Sequence, residues 1–158
     1  MTIEEAINAR HSVRAYKAQP LTEDLVKVLE KEIEEQNRKE PGTYVLEERE
    51  VIKAYIAIGY GESQGVGHKI KTVEKASNAS DITPSWFRKG VEAALLAPTA
   101  VNQQKFFFEY VPARDNKPAQ VIAKRNFSLI GYTQLDLGIA KYHFEIGAGK
   151  DNFEWSQH

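Results

Sequence analysis

The chain contains no cysteine among its 158 residues, so neither a disulfide nor a cysteine-ligated metal can hold its fold together. Thiol catalysis is excluded for the same reason. Stability must come from a packed core, and a chain of this length can bury a sizeable one. Hydrophobic residues make up 42% and charged residues 27% of the sequence, close to globular averages. We therefore expect one folded domain over residues 1–158.

The net charge and the absence of targeting signals limit the classes of partner that we expect for this chain. The net charge of -1 gives no electrostatic reason to expect nucleic acid or an anionic membrane. Residues 1–5 lack the basic and apolar regions of a secretory signal, and no apolar run approaches the length of a membrane span. We expect a soluble, cytoplasmic protein. The histidines are scattered without paired ligand spacing, so we predict no metal site; they are His11, His68, His143 and His158.

Helical spacing predicts four helices, each with a recognisable start. Thr2 and Glu5 have capping-box spacing before a short helix to about Ala9. Thr22 caps a longer helix that Pro41-Gly42 stops, and Thr83 caps a third that ends at Pro98. The last helix starts at Thr133. The apolar faces predicted for the second, third and last helices are Leu25, Val28, Leu29 and Ile33; Phe87, Val91, Ala94 and Leu95; and Leu135, Ile139, Tyr142 and Ile146.

Three segments read as strands. Residues 54–59 form a short apolar run, typical of a buried strand. Residues 105–111 are rich in aromatic side chains, and residues 120–130 can pair with them across the turn-rich residues 113–118. The mixture predicts an α+β fold with a sheet packed by helices.

The first segment that could bind a ligand follows the first helix. Arg10, Ser12 and Arg14 place two guanidinium groups and a hydroxyl within five residues, with His11 between them. Arginine presents a forked pair of donors that suits a phosphate. On spacing alone, a solvated basic loop is the simpler interpretation.

The second segment is rich in glycine and ends in two lysines. Gly59, Gly61, Gly65 and Gly67 would let the backbone approach a ligand closely. Lys69 and Lys71 alternate, so in an extended segment both point the same way, where a phosphate or carboxylate could bind. The glycine spacing fits neither a dinucleotide fingerprint nor a Walker loop. A flexible turn with exposed lysines is the alternative.

The third segment, residues 97–106, runs Ala-Pro-Thr-Ala-Val-Asn-Gln-Gln-Lys-Phe. A helix stops at Pro98, and a hydroxyl and three amides lead into a strand. Such groups can donate to and accept from the edge of a heterocycle without adding charge. The alternative is a polar connection that satisfies its own backbone.

Together the three segments resemble the FMN-dependent nitroreductase family. Residues 10–14 look like its first flavin-phosphate motif, and residues 97–104 look like its Ala-Pro-Ser-x-x-Asn-x-Gln segment. The strand at 56–61 and the basic residues at 68–71 look like those that close the phosphate site. In most members the Asn-x-Gln segment comes before the basic pair. The reverse order here resembles a permuted branch found in anaerobic bacteria.

Two departures from the family pattern stand out. Lys105-Phe106 occupies the place of the common Pro-Trp pair, which puts substrate stacking there in doubt. Family members also carry a further block of strands and a long central helix between the positions of residues 40 and 54. That block is absent here, so the resemblance implies a nitroreductase-like fold truncated in the middle.

The resemblance implies FMN as cofactor and assigns each segment a role. Arg10, Ser12 and Arg14 would hold the flavin phosphate and ribityl chain, with His11 beside them. Lys69 and Lys71 would complete the phosphate pocket. Pro98, Thr99 and Asn102 would reach the flavin from the second subunit of a homodimer. No side chain is needed as a nucleophile, and none is assigned a catalytic role.

The implied activity is transfer of hydride from NAD(P)H through the flavin to a small-molecule acceptor, a nitroaromatic or a quinone. The alternative is a non-catalytic remnant of the family that binds a flavin or nucleotide, or serves in interactions. The missing central block favours this alternative, because the block normally supplies part of the dimer core and of the flavin pocket.

Overall fold

The computed structural model of the chain describes residues 1–39, 57–65, 67, 69–115 and 117–156. The helix stop expected at Pro41-Gly42 and the first part of the expected strand, residues 54–56, lie outside these residues, as does the predicted deletion between them. Residues 57–59 of the expected strand are described and form no strand. The chain divides into a larger unit of residues 1–12 and 66–158 and a smaller unit of residues 13–65. The single domain expected over 1–158 stays a prediction.

The smaller unit contains α2 (Glu23–Lys39), confirming the second predicted helix. The carbonyl of Thr22 accepts a hydrogen bond from Val26 N at 3.0 Å, as expected of the N-cap position. The predicted apolar face is only partly covered. Leu25 and Leu29 are half-buried, whereas Val28 and Ile33 are 62% and 56% exposed.

Two glycines of the smaller unit, Gly59 and Gly61, have close neighbours within that unit. The backbone of Tyr16 pairs with that of Gly61, and Lys17 N donates to Tyr60 O at 2.8 Å. A Cβ on Gly59 would lie 3.0 Å from the Tyr16 ring, and one on Gly61 would lie 2.7 Å from Ser63 O. Close chain packing is therefore sufficient to explain these two glycines without a ligand.

The larger unit contains α1 (Ile3–Ala9), α3 (Val73–Ala76), α4 (Ser85–Leu95) and α5 (Thr133–Ala148). The capping box before α1 is confirmed: Glu5 N donates to Thr2 Oγ1 at 3.1 Å, and Thr2 N to Glu5 Oε2 at 2.7 Å. The predicted start of α4 is wrong by one residue. Pro84 occupies the N-cap, because the Thr83 hydroxyl instead accepts from Ser80 N at 2.8 Å.

A three-stranded sheet packs against these helices in the order β1-β2-β3, with β1 at Phe106–Val111, β2 at Gln120–Arg125 and β3 at Glu154–Trp155. The predicted hairpin is confirmed, with β1 and β2 antiparallel, although β2 ends before Ile130. β3 lies parallel to β2 and was not expected from the sequence. The α+β class is confirmed.

Aromatic side chains fill the core between the sheet and the helices. Phe106 and Phe108 point inward from alternate positions of β1, and both are almost completely buried. Phe108 stacks on Phe144 of α5 with ring centroids 4.7 Å apart. Phe87 of α4 meets Phe144 edge to face at 5.6 Å. The predicted apolar face of α4 is confirmed, since its four residues are all buried.

The predicted apolar face of α5 is wrong at two of its four positions. Ile139 packs partly buried against the core, and Ile146 is half-buried. Leu135 and Tyr142 are 41% and 58% exposed. The buried residues of α5 are Asp136, Ala140, Phe144 and Ala148. Small side chains allow α5 to pack closely against α4, and this contact determines which face of α5 is buried. The backbone of α5 at Gly147 approaches α4 so closely that a Cβ there would lie 2.6 Å from Lys89 O. Larger apolar residues cannot occupy so close a contact.

Candidate functional site

Arg10 lies at the end of α1, where the chain leaves the helix in extended conformation. Its Nη2 donates to the carbonyl oxygen of Leu96 at 2.9 Å, and its Nη1 donates to Ser12 Oγ at 3.3 Å. Leu96 is the C-cap of α4, where a positive charge meets the negative end of the helix dipole. Arg10 therefore joins α1 to the end of α4, a structural role that the sequence did not predict.

Two donors near Arg10 remain available. Its Nε atom is buried and has no hydrogen-bond partner among the described residues. The Ser12 hydroxyl accepts from Arg10, so its own hydrogen is free to donate elsewhere. His11 between them is exposed. Arg14 is also exposed but belongs to the smaller unit, so the predicted cluster is divided between the two units.

His143 of α5 lies close enough to Arg10 for the positive charge of Arg10 to affect the pKa of His143. The ring is half-buried, and Nδ1 lies 3.0 Å from the carbonyl oxygen of Ile139. Burial lowers the pKa of His143, the hydrogen bond with Ile139 opposes this, and the Arg10 charge lowers the pKa further.

The basic pair meets the amide-rich loop. Both Asn102 Nδ2 and Gln104 Nε2 donate to the carbonyl oxygen of Lys69, at 2.7 and 2.9 Å. Lys71 N donates to Gln104 Oε1 at 2.9 Å, and the Lys71 ammonium donates to the Gln104 carbonyl. Gln104, which is 2% exposed, thus connects the two segments. The structure brings Lys69, Lys71 and Asn102 of one chain together.

Positive charge accumulates around Gln104. Partial burial, and then the charge of nearby Lys105, lower the pKa of the Lys71 ammonium. Lys69 is exposed. Neither Lys71 nor Lys105 forms an ion pair with a carboxylate within the described part of the chain. A group of lysines without a compensating acid suits an anionic ligand.

Residues 99–104 have an unusual backbone. Val101, Asn102 and Gln104 have φ values of 46°, 55° and 47°, in the left-handed region that favours glycine. For a β-branched residue such as Val101 this conformation is strained. Thr99 helps to hold the loop, since its Oγ1 accepts from Gln104 N at 3.2 Å and its carbonyl accepts from Asn102 N at 2.9 Å. Pro98 is exposed.

Asp136 closes this loop from α5. It is 3% exposed, and its two carboxylate oxygens accept from Ala100 N at 2.9 Å and from Gln103 Nε2 at 2.6 Å. Gln103 also donates to Gly131 O at 3.0 Å and accepts from Ser128 Oγ at 2.5 Å. The sequence predicted no role for Asp136, and it gave Gln103 only as one of three amides that could contact a heterocycle. The sequence feature that could have indicated a role for Asp136 is its position between Leu135 and Leu137 at the start of the last helix.

The candidate residues of the larger unit thus form two groups. Arg10 and Ser12 lie at the end of α4, and the basic pair lies with Asn102 and Gln104. The intervening residues 97–101 follow α4 directly, so one stretch of chain leads from the first group to the second. No hydrogen bond joins the groups among the described residues.

The comparisons with known proteins identify the family. The family described as "Putative TM nitroreductase" matches residues 37–148, which is most of the chain. The chain belongs to this nitroreductase family. Membership supports a function of the oxidoreductase type, and the recognition made from the three motifs is confirmed.

A solved structure shows the same fold. A crystal structure described as that of a putative nitroreductase from Thermotoga maritima is similar with a TM-score of 0.59 and 17% sequence identity. The match covers 96% of this chain and 85% of the other. The nitroreductase-like fold is thereby confirmed. No curated protein matches the chain.

Among the described residues, no group of three or more histidine, aspartate or glutamate side chains could hold a metal ion. Over the same residues, no helix has the length and apolar character needed to cross a membrane.

Proposed function

We propose that the chain is an FMN-binding oxidoreductase that uses NAD(P)H to reduce nitroaromatic or quinone-type acceptors. The observation that carries the proposal is the family match over residues 37–148. When bound, FMN would supply the redox chemistry by accepting hydride from the nicotinamide and passing electrons to the acceptor. The protein would bind and orient the cofactor and its substrates.

The donor chemistry of the described residues fits FMN. A buried Arg10 Nε without a partner and a free Ser12 hydroxyl hydrogen are two donors of the kind that a phosphate accepts. We assign the phosphate and ribityl chain to Arg10, Ser12 and Arg14, with His11 beside them.

The second group supplies the remaining contacts. Lys69 and Lys71 would add positive charge to the phosphate pocket, in keeping with the absence of a carboxylate paired with Lys71 in the described part of the chain. Asn102 retains one amide hydrogen and one lone pair after its bonds to Lys69 and Gln104, so it can still contact a heterocycle. Pro98 and Thr99 would approach the flavin with it, from the second subunit.

A homodimer follows from this sharing of the site, and an exposed apolar surface supports it. Seven large apolar residues of residues 101–142 are at least 41% exposed, and Phe127 and Leu129 reach 81% and 92%. We call them the apolar rim: Val101, Phe127, Leu129, Ile130, Tyr132, Leu135 and Tyr142. Four of the seven fall within residues 127–132, and a concentration of exposed apolar groups is typical of an interaction surface. We propose that a second copy of the chain covers the rim.

Flavin titration tests the cofactor. The apo protein should bind FMN and bind FAD poorly, because the proposed pocket holds a terminal phosphate. Arg14→Ala should weaken FMN binding by about 1.5–3 kcal/mol, or roughly 10- to 150-fold, if one charge-assisted hydrogen bond is lost. Arg114→Ala is the matched control, since Arg114 is exposed in the turn between β1 and β2. Equal affinities for FMN and FAD would contradict a monophosphate site.

Sedimentation at micromolar concentration tests the dimer. Leu129→Glu should dissociate it, whereas Ile82→Glu should not, because Ile82 is an equally exposed residue before α4. A wild-type monomer that binds FMN tightly would refute a site shared between subunits.

Stopped-flow mixing of the FMN-loaded protein with NADH tests activity. We expect rapid, saturable bleaching of the flavin absorbance, followed by recovery on adding a quinone. Hydride transfer needs two rings held about 3–3.5 Å apart, and a misplacement of about 1 Å can cost about a hundredfold in rate. A protein that binds FMN but shows no bleaching would be the non-catalytic remnant.

A further inference from the structure

The strained loop at 100–103 is held from both ends by one carboxylate. Asp136 Oδ1 accepts from Ala100 N, and Oδ2 accepts from Gln103 Nε2. Val101 and Asn102, both left-handed, lie between these two anchors. We propose that Asp136 is a positioning residue that holds this loop in its left-handed conformation and so places Asn102 and the basic pair for the ligand. The ligand part rests on the proposed function, whereas the loop part does not.

The left-handed backbone at Val101 and Asn102 needs contacts that hold it. Left-handed backbone at non-glycine residues persists only where surrounding contacts impose it. Val101 is 69% exposed, so its side chain has little packing to hold it in place. The hydrogen bonds on either side of Val101 must therefore do so, and Asp136 accepts two of them.

Hydrogen bonds connect this loop to the segment that carries Lys69 and Lys71. Asn102 and Gln104 both donate to Lys69 O, and Gln104 also accepts from Lys71 N. A change in the path of residues 100–103 would therefore shift the basic segment with it. A loop held in one conformation positions the groups proposed to contact the flavin.

The two hydrogen bonds require a carboxylate at position 136. Both oxygens of a carboxylate accept hydrogen bonds, whereas an amide has one accepting oxygen and one donating nitrogen. In Asp136→Asn, the new amide nitrogen would face either Ala100 N–H or the Gln103 amide, so one anchor is lost with almost no change in shape. Asp136 also lies in the first turn of α5, where the helix dipole favours a negative charge.

Hydrogen exchange measured by mass spectrometry on the full chain without ligand tests the loop. Asp136→Asn should speed exchange in peptides covering residues 99–104 by about tenfold or more, with little change in β1 and α4. Asp151→Asn is the control, because Asp151 is exposed in the turn after α5. Gln103→Met removes the anchor on Oδ2 without changing α5, and it should act in the same direction if Asp136→Asn fails to fold. Unchanged exchange at 99–104 would overturn the proposal.

Titration of FMN, with visible circular dichroism of the bound flavin, separates positioning from general stability. Asp136→Asn should weaken FMN binding by about tenfold and alter the flavin signal, while Asp151→Asn should change neither. Faster loop exchange with unchanged affinity and spectrum would overturn the positioning role. If the wild-type chain binds no FMN, the proposed function and the placement of its ligand fail, while the exchange result still decides whether Asp136 holds the loop.

Discussion

The contact between α4 and α5 allows a stability prediction at Gly147. A Cβ added there would lie 2.6 Å from both Ala93 Cβ and Lys89 O, whereas ordinary contact begins near 3.4 Å. The helices would have to move apart by roughly 0.8 Å, and one of the two opposing atoms belongs to the backbone of α4 and cannot rotate away. Gly147→Ala should therefore destabilise the larger unit.

The magnitude follows from two opposing effects. Overpacking a tight contact costs about 1–3 kcal/mol. Replacing glycine by alanine in a helix returns up to about 1 kcal/mol, and less at Gly147, which precedes the last residue of α5. We expect a net loss of about 1–2 kcal/mol in the free energy of unfolding. The corresponding fall in melting temperature is about 2–4 °C per kcal/mol for a protein of this size.

Gly138 is a matched control in the same helix. A Cβ there meets nothing within 4 Å, so Gly138→Ala should stabilise the protein by about 0.4–1 kcal/mol. Urea unfolding of the wild type and both variants measures the difference, with equal slopes required for a direct comparison. If Gly147→Ala proved as stable as Gly138→Ala, the close approach of α4 and α5 would be refuted.

Three further predictions concern the pH dependence, the capping box and the core. The pKa of His143 is lowered on folding, so the unfolded chain binds more protons just below about pH 6.5 and stability should fall as the pH drops through that window. His143→Gln should remove this slope in pH-dependent melting curves, whereas His11→Gln at an exposed position should keep it. Thr2→Ala should lower the unfolding free energy by about 0.5–2 kcal/mol in urea, with Thr2→Ser close to wild type, because the cap of α1 is lost only in the first. Phe144→Ala should cost about 3–5 kcal/mol in the same assay, since the side chain is fully buried; a loss below about 1 kcal/mol would contradict its central place in the core.

The sequence predicted correctly the structural elements that depend only on residues close together in the chain. The capping box at Thr2 and Glu5 needs only residues three apart, and it forms as expected. The alternation of Phe106 and Phe108 and the turn that follows were enough to predict the hairpin. The start of α4 differed by one residue because Thr83 bonds backward to Ser80, a competing local choice that spacing does not resolve.

The candidate site could be predicted only in part. The motifs identified the family, and the structure brings Lys69, Lys71 and Asn102 together. Two structural roles were missed. Arg10 binds the end of α4 through Leu96, a residue 86 positions away, and Asp136 accepts hydrogen bonds from Ala100 and Gln103, 36 and 33 positions away. Such long-range bonds leave no periodic trace in a single sequence.

The sequence by itself determined the α+β composition, the hairpin, the capping box of the first helix and the nitroreductase family, because each depends on neighbouring residues or on motifs that can be recognised one by one. Only the tertiary structure decided which face of α5 is buried and which groups hold the strained loop. Hydrophobic spacing favoured Leu135 and Tyr142, but the closest helix packing selects small side chains and places Phe144 and Asp136 inside. A buried carboxylate is tolerated there because Ala100 and Gln103, more than 30 positions away, supply its hydrogen bonds.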